Sequence, residues 1–372
     1  MDLSNEDKLR LNVLLAQDTK AIRIDESKLI VYALTSKGNV KVQLNPTCKN
    51  DKYIRIVKEL LSNKIMGSPG GYPVYIKRWT RMGQDRENGS LQQLLLLGEE
   101  EAIIAVVHAP ALSAEIAGYA WWAYQSAENA RRLLEKSNIV ESQLARELTE
   151  FLLEFLPFES DHRAMIDSVR LCLQPELMTE QEVRSLWKKA RRKQSLYVGF
   201  LHSMPDNLPI VVDANNSFDE VKSSLITLCR ANNPYAVQLI RYLEPKGQAF
   251  LKTVHQVLDK AASQDTIVSM FLAIEKYNDG LPIANLKTRS IKEAESRTDL
   301  ALQNRLEPEL CELLDIATNI KNKVRAMLVI AQLGEITLNP IFGLTDALGS
   351  VMRKKLKPLT EPLNHHIDCL LK

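Results

Sequence analysis

The spacing of apolar residues switches between helical and extended periods along this chain, and the switches mark its parts. Ser4 followed by Glu6 and Asp7 predicts a helix start, and Leu11, Leu14 and Leu15 give that helix a short apolar stripe. The period then falls to two. Ile22 and Ile24 alternate with Arg23 and Asp25, residues 29–34 are apolar and rich in β-branched side chains, and Val40, Val42 and Leu44 alternate with Lys41 and Gln43. Lys37-Gly38-Asn39 supplies the turn, so the segment predicts a small antiparallel meander. Ile54, Val57 and Leu61 then share one helix face. A Gly67-Ser68-Pro69-Gly70-Gly71 loop and a strand-like run over 74–79 follow. Residues 1–85 are thus expected to form a small α+β domain.

From residue 91 to about 209 the pattern is one helix after another, punctuated by Pro110, Pro157, Pro175 and Pro205. Three helix pairs look like copies: 101–108 with 114–122, 128–136 with 143–156, and 162–173 with 180–190. Their leading alanines, Ala102, Ala130 and Ala164, lie roughly one solenoid repeat apart. A helix pair cannot bury its apolar face alone, so stacking is the expected solution. Leu144, Leu148, Phe151, Leu152 and Phe155 make the clearest stripe. Residues 205–216 predict a linker or one edge strand at Ile210-Val211-Val212-Asp213. Beyond Phe218 the chain is helical again. Leu310, Leu313, Ala317, Ile320, Val324, Met327 and Ala331 form an a/d seam, read as a long helix of an intramolecular bundle in preference to a dimeric coiled coil. Arg353, Lys354, Lys355 and Lys357 predict a solvated helix end. The fold class expected is mainly α: the α+β domain over 1–85, a helical-repeat-like (α-solenoid) domain over 90–209 and a C-terminal helical domain, a bundle, over 216–372.

Composition narrows the function classes. The 372 residues are 45% hydrophobic and 25% charged, as in globular proteins, and the formal net charge is only +2. Any attraction to polyanions must then be local. Five cysteines, odd in number and never in a C-x-x-C pair, point to reduced thiols in a cytoplasmic setting. Neither a signal segment nor a membrane-spanning run is expected.

Enzyme signatures are missing: no G-x-S-x-G, H-E-x-x-H, P-loop or dinucleotide fingerprint occurs. No catalytic residue, cofactor or metal is therefore assigned. His365 and Cys369, at i and i+4, could share a metal, but with no second ligand pair the plainer reading is a frayed terminal helix. Cys172 and Cys311 read as small buried hydrophobes, while Cys48 has Lys49 and Lys52 as neighbours, the electropositive setting of reactive thiols. Two basic stretches are candidate partner or anion sites. In the first, Lys77, Arg78 and Arg81 interleave with Tyr72, Tyr75 and Trp79, a pairing that suits single-stranded nucleic acid, although a half-buried strand gives the same text. The second is Lys188, Lys189, Arg191, Arg192 and Lys193 at a helix end, where positive charge also answers the helix dipole.

Several strings carry a family resemblance: MDLSNEDKLRLNVLLA at 1–16, GSPGGYPVYIKRWTRMGQ at 67–84, LLLLGEEEAI at 94–103, AWWAYQSAENARRLL at 120–134, EFLPFE at 154–159 and LWKKARRKQSLYVGFLHSMPDNLP at 186–209. Together they resemble the DsrS-type sulfur reduction protein encoded with the dissimilatory sulfite reductase genes of sulfur-oxidising bacteria, over about residues 1–210. The resemblance implies an accessory, regulatory, protein-binding role in cytoplasmic sulfur oxidation and transfers no catalytic residue. A thiol-dependent sulfur-handling enzyme or carrier and an RNA-binding regulator are the alternatives.

The polar, glycine-ended stretch 85–89 and the proline-bounded 205–209 are the expected weak points. Limited proteolysis is expected to cut at one of these first. Initial cleavage inside 140–157 would contradict this division.

Overall fold

The computed structural model describes residues 3–67, 88–304, 307–316, 320–343 and 347–371. They group into two compact units, Met1–Phe155 and Leu156–Lys372. Among them are twenty α-helices and a single three-stranded sheet, so the protein is mainly helical. No helix among the described residues is long and apolar enough to cross a membrane.

The first unit starts with α1 (Asn5–Ala16), capped by the Ser4 hydroxyl, which accepts from the Asp7 N–H. The meander follows as predicted: β1 (Thr19–Asp25), β2 (Ile30–Thr35) and β3 (Gly38–Gln43), antiparallel in the order β1-β2-β3. Ile22 pairs with Ala33 and Val31 with Val42, so one face of the sheet is apolar. Gly38 takes φ 113° at the β2–β3 turn, a conformation that L side chains rarely adopt. α2 (Asn50–Met66) lays Tyr53, Ile54, Val57 and Leu61 into the same core as Leu11, Leu14, Ile22 and Val31. Asp7 is fully buried there. The Tyr53 hydroxyl donates to Asp7 Oδ2 at 2.5 Å, and the Asn45 N–H donates to the same oxygen at 2.8 Å. A buried carboxylate is tolerated only with such donors.

The remaining helices of this unit are α3 (Asn88–Leu95), α4 (Glu100–Val107), α5 (Ala114–Ala123), α6 (Ala127–Leu134), α7 (Ser137–Val140) and α8 (Leu144–Phe155). α5 is capped by Ser113 and α6 by Ser126. The buried face of α8 keeps Leu148 and Leu152 of the predicted stripe and is completed by other residues. Ala145, Leu148, Thr149 and Leu152 are buried, while Phe151 and Phe155 stack on each other at 4.4 Å along the rim.

The second unit holds α9 (His162–Cys172), α10 (Glu180–Ala190), α11 (Gln194–Ser203), α12 (Phe218–Arg230), α13 (Pro234–Leu243), α14 (Pro245–Lys260), α15 (Gln264–Tyr277), α16 (Ile291–Asn304), α17 (Pro308–Ile316), α18 (Lys321–Ala331), α19 (Glu335–Phe342) and α20 (Gly349–Leu371). α11 is buried from Gln194 to Leu201 and packs against α9, α10, α14 and α15.

Three expectations are corrected in this unit. The segment 205–216 forms no edge strand. Val211 is 98% exposed, and the segment is pinned instead by Arg241, which grips Asp206 with two bonds of 2.9 and 2.7 Å and lies 3.7 Å over the Tyr277 ring. The seam over 306–334 is carried by two helices, α17 and α18. Within α18, Val324 and every residue of 326–331 are buried, a pattern that suits a core helix and not a two-faced coiled coil. Ala317 lies outside the described residues. The basic run at 353–357 opens α20 instead of ending a helix, and Arg353 donates to the Ala261 carbonyl at 2.8 Å.

Gly199 sets the approach of α11 to α9. A Cβ there would lie 2.6 Å from the Val169 side chain. Gly199→Ala is therefore expected to destabilise the protein by about 1–3 kcal/mol through overpacking, despite the better helix propensity of Ala. Urea denaturation measures this, and an unchanged or raised midpoint would refute such close packing.

Candidate anion-binding site

α10 begins with a capping box, in which Thr179 and Glu182 satisfy each other's backbone N–H groups. Leu186 and Ala190 anchor its inner face, and the chain then reverses over 191–193 into α11. The second basic stretch occupies this reversal. Lys188, Lys189, Arg191 and Arg192 are exposed, and among the described residues none of them forms an ion pair. Part of their charge balances the carbonyl end of α10, worth about 0.3–1 kcal/mol. Lys193 has a different job. Its ammonium donates to the Pro157 and Glu159 carbonyls at 3.3 and 3.0 Å and ties the start of this unit to α11.

Beside the reversal, α14 brings Lys252, His255, Gln256, Asp259 and Lys260 around Arg191 and Tyr197. Together they line a cleft of about 410 Å³. Three permanent cations face one carboxylate, and that carboxylate is 3.6 Å from the His255 ring. Tyr197 is only 3% exposed, with its ring edge-on to Trp187 at 4.6 Å. Its hydroxyl forms no hydrogen bond with any described residue, and Tyr197 contributes to the cleft wall. The α14 residues were missed from the sequence. Their signal was the spacing 252, 255, 256, 259, a polar face opposite the buried Leu251, Val254 and Leu258.

Lys77, Arg78 and Arg81, with Trp79, lie outside the described residues. Of the glycine loop only Gly67 is described. It closes α2 with φ 63°, which is a structural role.

The first unit has a larger cleft, about 860 Å³, in which carboxylates outnumber cations and the lysines are paired. Lys58 bridges Glu26 at 2.8 Å and Glu99 at 3.0 Å, and Arg23 lies over the rings of Tyr32 and Trp122. Burial raises the Glu99 pKa and outweighs the opposing pull of Lys58. Burial also works to lower Lys58, but its hydrogen bonds to Glu26 and Glu99 leave it raised.

The thiols and histidines are dispersed. Cys172 is buried and its thiol is pushed up to about 12, which removes the thiolate at neutral pH. Cys311 is only half-buried, contrary to expectation, and Cys48 packs partly against the first unit's core. The end of α20 is not frayed: His366 is buried and hydrogen-bonds Glu295 at 2.9 Å, while the neighbouring His365 sits 4.0 Å from the Cys369 sulfur. No group of three or more metal-ligating side chains occurs among the described residues. A serine–histidine contact does occur, Ser195 Oγ to His162 Nδ1 at 2.6 Å. Ser195 is 1% exposed, and its other partner is the Thr266 hydroxyl at 2.9 Å in place of a carboxylate. The chain of hydroxyls joins α9, α11 and α15.

In the native protein at neutral pH, a thiol-reactive dye is expected to leave Cys172 unlabelled until denaturant is added. Labelling of Cys172 as fast as Cys369 would contradict its burial. Set against known proteins, the chain matches no family model, no curated protein and no solved structure.

Proposed function

We propose that the protein is a non-catalytic, accessory and regulatory one that binds an acidic protein partner through the basic end of α10 and the cleft beside it. The observation that carries this reading is the row of exposed cations, Lys188, Lys189, Arg191 and Arg192, left without carboxylate partners beside the further cations Lys252 and Lys260. Evenly mixed surfaces seldom leave so many like charges together, and such a patch speeds encounter with an oppositely charged surface. The first unit's large cleft offers no such surplus of cations, because its acidic side chains outnumber its basic ones.

The resemblance to DsrS-type proteins supports placing that partner in the cytoplasmic dissimilatory sulfur oxidation system. A helical-repeat-like order over 90–209 belongs to the same reading. Its support is the placing of Ala102, Ala130 and Ala164 roughly one repeat length apart, the first two of them fully buried.

The test is an affinity capture from the native cell with the wild-type protein and with the variant Lys188→Glu/Lys189→Glu/Arg192→Glu, analysed for protein and for RNA. The wild type is expected to hold an acidic protein that salt elutes, because screening weakens exposed charge pairs. The triple variant should lose it while melting within about 0.5 kcal/mol of wild type, as exposed substitutions do. Equal capture by both would sink the proposal. Retention of RNA alone would replace the acidic protein by nucleic acid.

A further inference from the structure

The cleft beside the α10–α11 reversal has chemistry more specific than a positive patch. Its floor contains a tyrosine whose ring belongs to the core, edge-on to Trp187 at 4.6 Å. The ring is buried, but the hydroxyl oxygen is not one of the buried polar atoms left without a partner, so it opens on the cleft. The Tyr197 hydroxyl has no hydrogen-bond partner among the described residues. Around it stand a guanidinium from the reversal, Arg191, and two ammonium groups from α14, Lys252 and Lys260. Neither Arg191, Lys252 nor Lys260 is engaged in an ion pair with a described residue. His255 and Asp259 complete the titratable groups and lie within 3.6 Å of each other, so the carboxylate is turned toward its own helix neighbour.

We infer that this cleft is a binding site for a phosphate monoester dianion, held by Arg191, Lys252 and Lys260 and oriented by a hydrogen bond from the Tyr197 hydroxyl. Charge supports the choice. Three cations against one carboxylate leave a surplus of about two, the charge of a phosphate monoester at neutral pH. A phosphodiester carries only one negative charge and would leave a cation unanswered. Size agrees as well, since about 410 Å³ is at the lower end of small-ligand sites and suits a phosphoryl group with a few attached atoms. Arg191 contributes the fork that fits two phosphoryl oxygens, Lys252 and Lys260 act as point charges, and the phenol donates a neutral bond. The inference rests on the partner-binding reading for where the phosphoryl group comes from: a phosphorylated side chain of the partner.

Calorimetric titration at low salt with inorganic phosphate, O-phosphoserine, a phosphoserine peptide with acidic flanks and dimethyl phosphate tests the site. Inorganic phosphate and O-phosphoserine are expected to bind, with dimethyl phosphate at least about tenfold weaker, a difference of one charge-assisted contact. The peptide should bind more tightly than the free amino acid if the source is a protein, and no more tightly if it is a small metabolite. Tyr197→Phe keeps the buried ring and removes only the hydroxyl, so it should weaken phosphate binding by about tenfold without shifting the melting temperature. Lys252→Gln and Arg191→Gln, both at exposed positions, should do the same. Equal binding of dimethyl phosphate, or no loss in a folded Tyr197→Phe protein, would overturn the inference in favour of a diffuse charge effect. Absence of phosphate binding with retained, salt-sensitive capture of the acidic protein would overturn it alone. Phosphate binding that survives Lys188→Glu/Lys189→Glu/Arg192→Glu while that variant captures as much protein as wild type would uphold the site and remove the docking surface.

Discussion

The second unit is organised around a helix that has no face left for water. Every residue of α11 from Gln194 to Leu201 is buried, so neighbours must cover it on all sides, and α9, α10, α14 and α15 do so. Gly199 lets α9 come close, and Ser195 satisfies its hydroxyl through His162 and Thr266. Covering α11 also fixes where α10 must end and where the polar face of α14 must lie. The cleft between them is a by-product of that packing. Tyr197 shows the link most directly, because its ring fills the core against Trp187 and the same residue forms part of the cleft wall.

The first unit's core and the end of α10 treat charge differently. In the first, a buried aspartate is answered by a tyrosine hydroxyl and a backbone N–H, and a lysine is shared between two glutamates. These charges are consumed in holding elements together, and pairs of this kind are tolerated inside a protein because each is compensated on the spot. At the end of α10 the compensation is partial. The helix dipole and Lys193's two carbonyl bonds use some of the positive charge, and four neighbouring cations remain exposed. In a protein with a net charge of only +2, these cations form a local positive surface.

Local signals carried the reading of the fold as far as local physics goes. The meander was legible because its strands are neighbours in sequence and a glycine turn joins two of them. Helices α1, α5, α6 and α10 begin at side chains that cap them, and caps can be read without knowing the tertiary structure. Errors arose where distant residues decide. The stripe on α8 counted Phe151 and Phe155 with Leu148 and Leu152, but only the leucines are buried and the two rings cover each other at the rim. The seam over 306–334 continued in period across two separate helices, since a heptad count cannot register a break. At the cleft, Arg191 was legible as part of a basic run, whereas Lys252 and Lys260 belong to an ordinary amphipathic helix until α14 is packed on α11 beside the reversal. The free hydroxyl of Tyr197 could not be read at all, because only the folded neighbours show whether a phenol is satisfied.

The last long helix, α20, packs on α13, α14, α16 and α18, and its Leu370 carbonyl accepts from Asn215 at 2.8 Å and from Gln248 at 3.0 Å. Those donors lie 155 and 122 residues away in sequence. Closing so large a loop costs more chain entropy than pairing adjacent strands. Until α20 docks, the apolar faces of α14 and α18 that it covers stay exposed to other chains. The clasp at Leu370 therefore makes the covering of those faces depend on contacts between residues far apart in the chain.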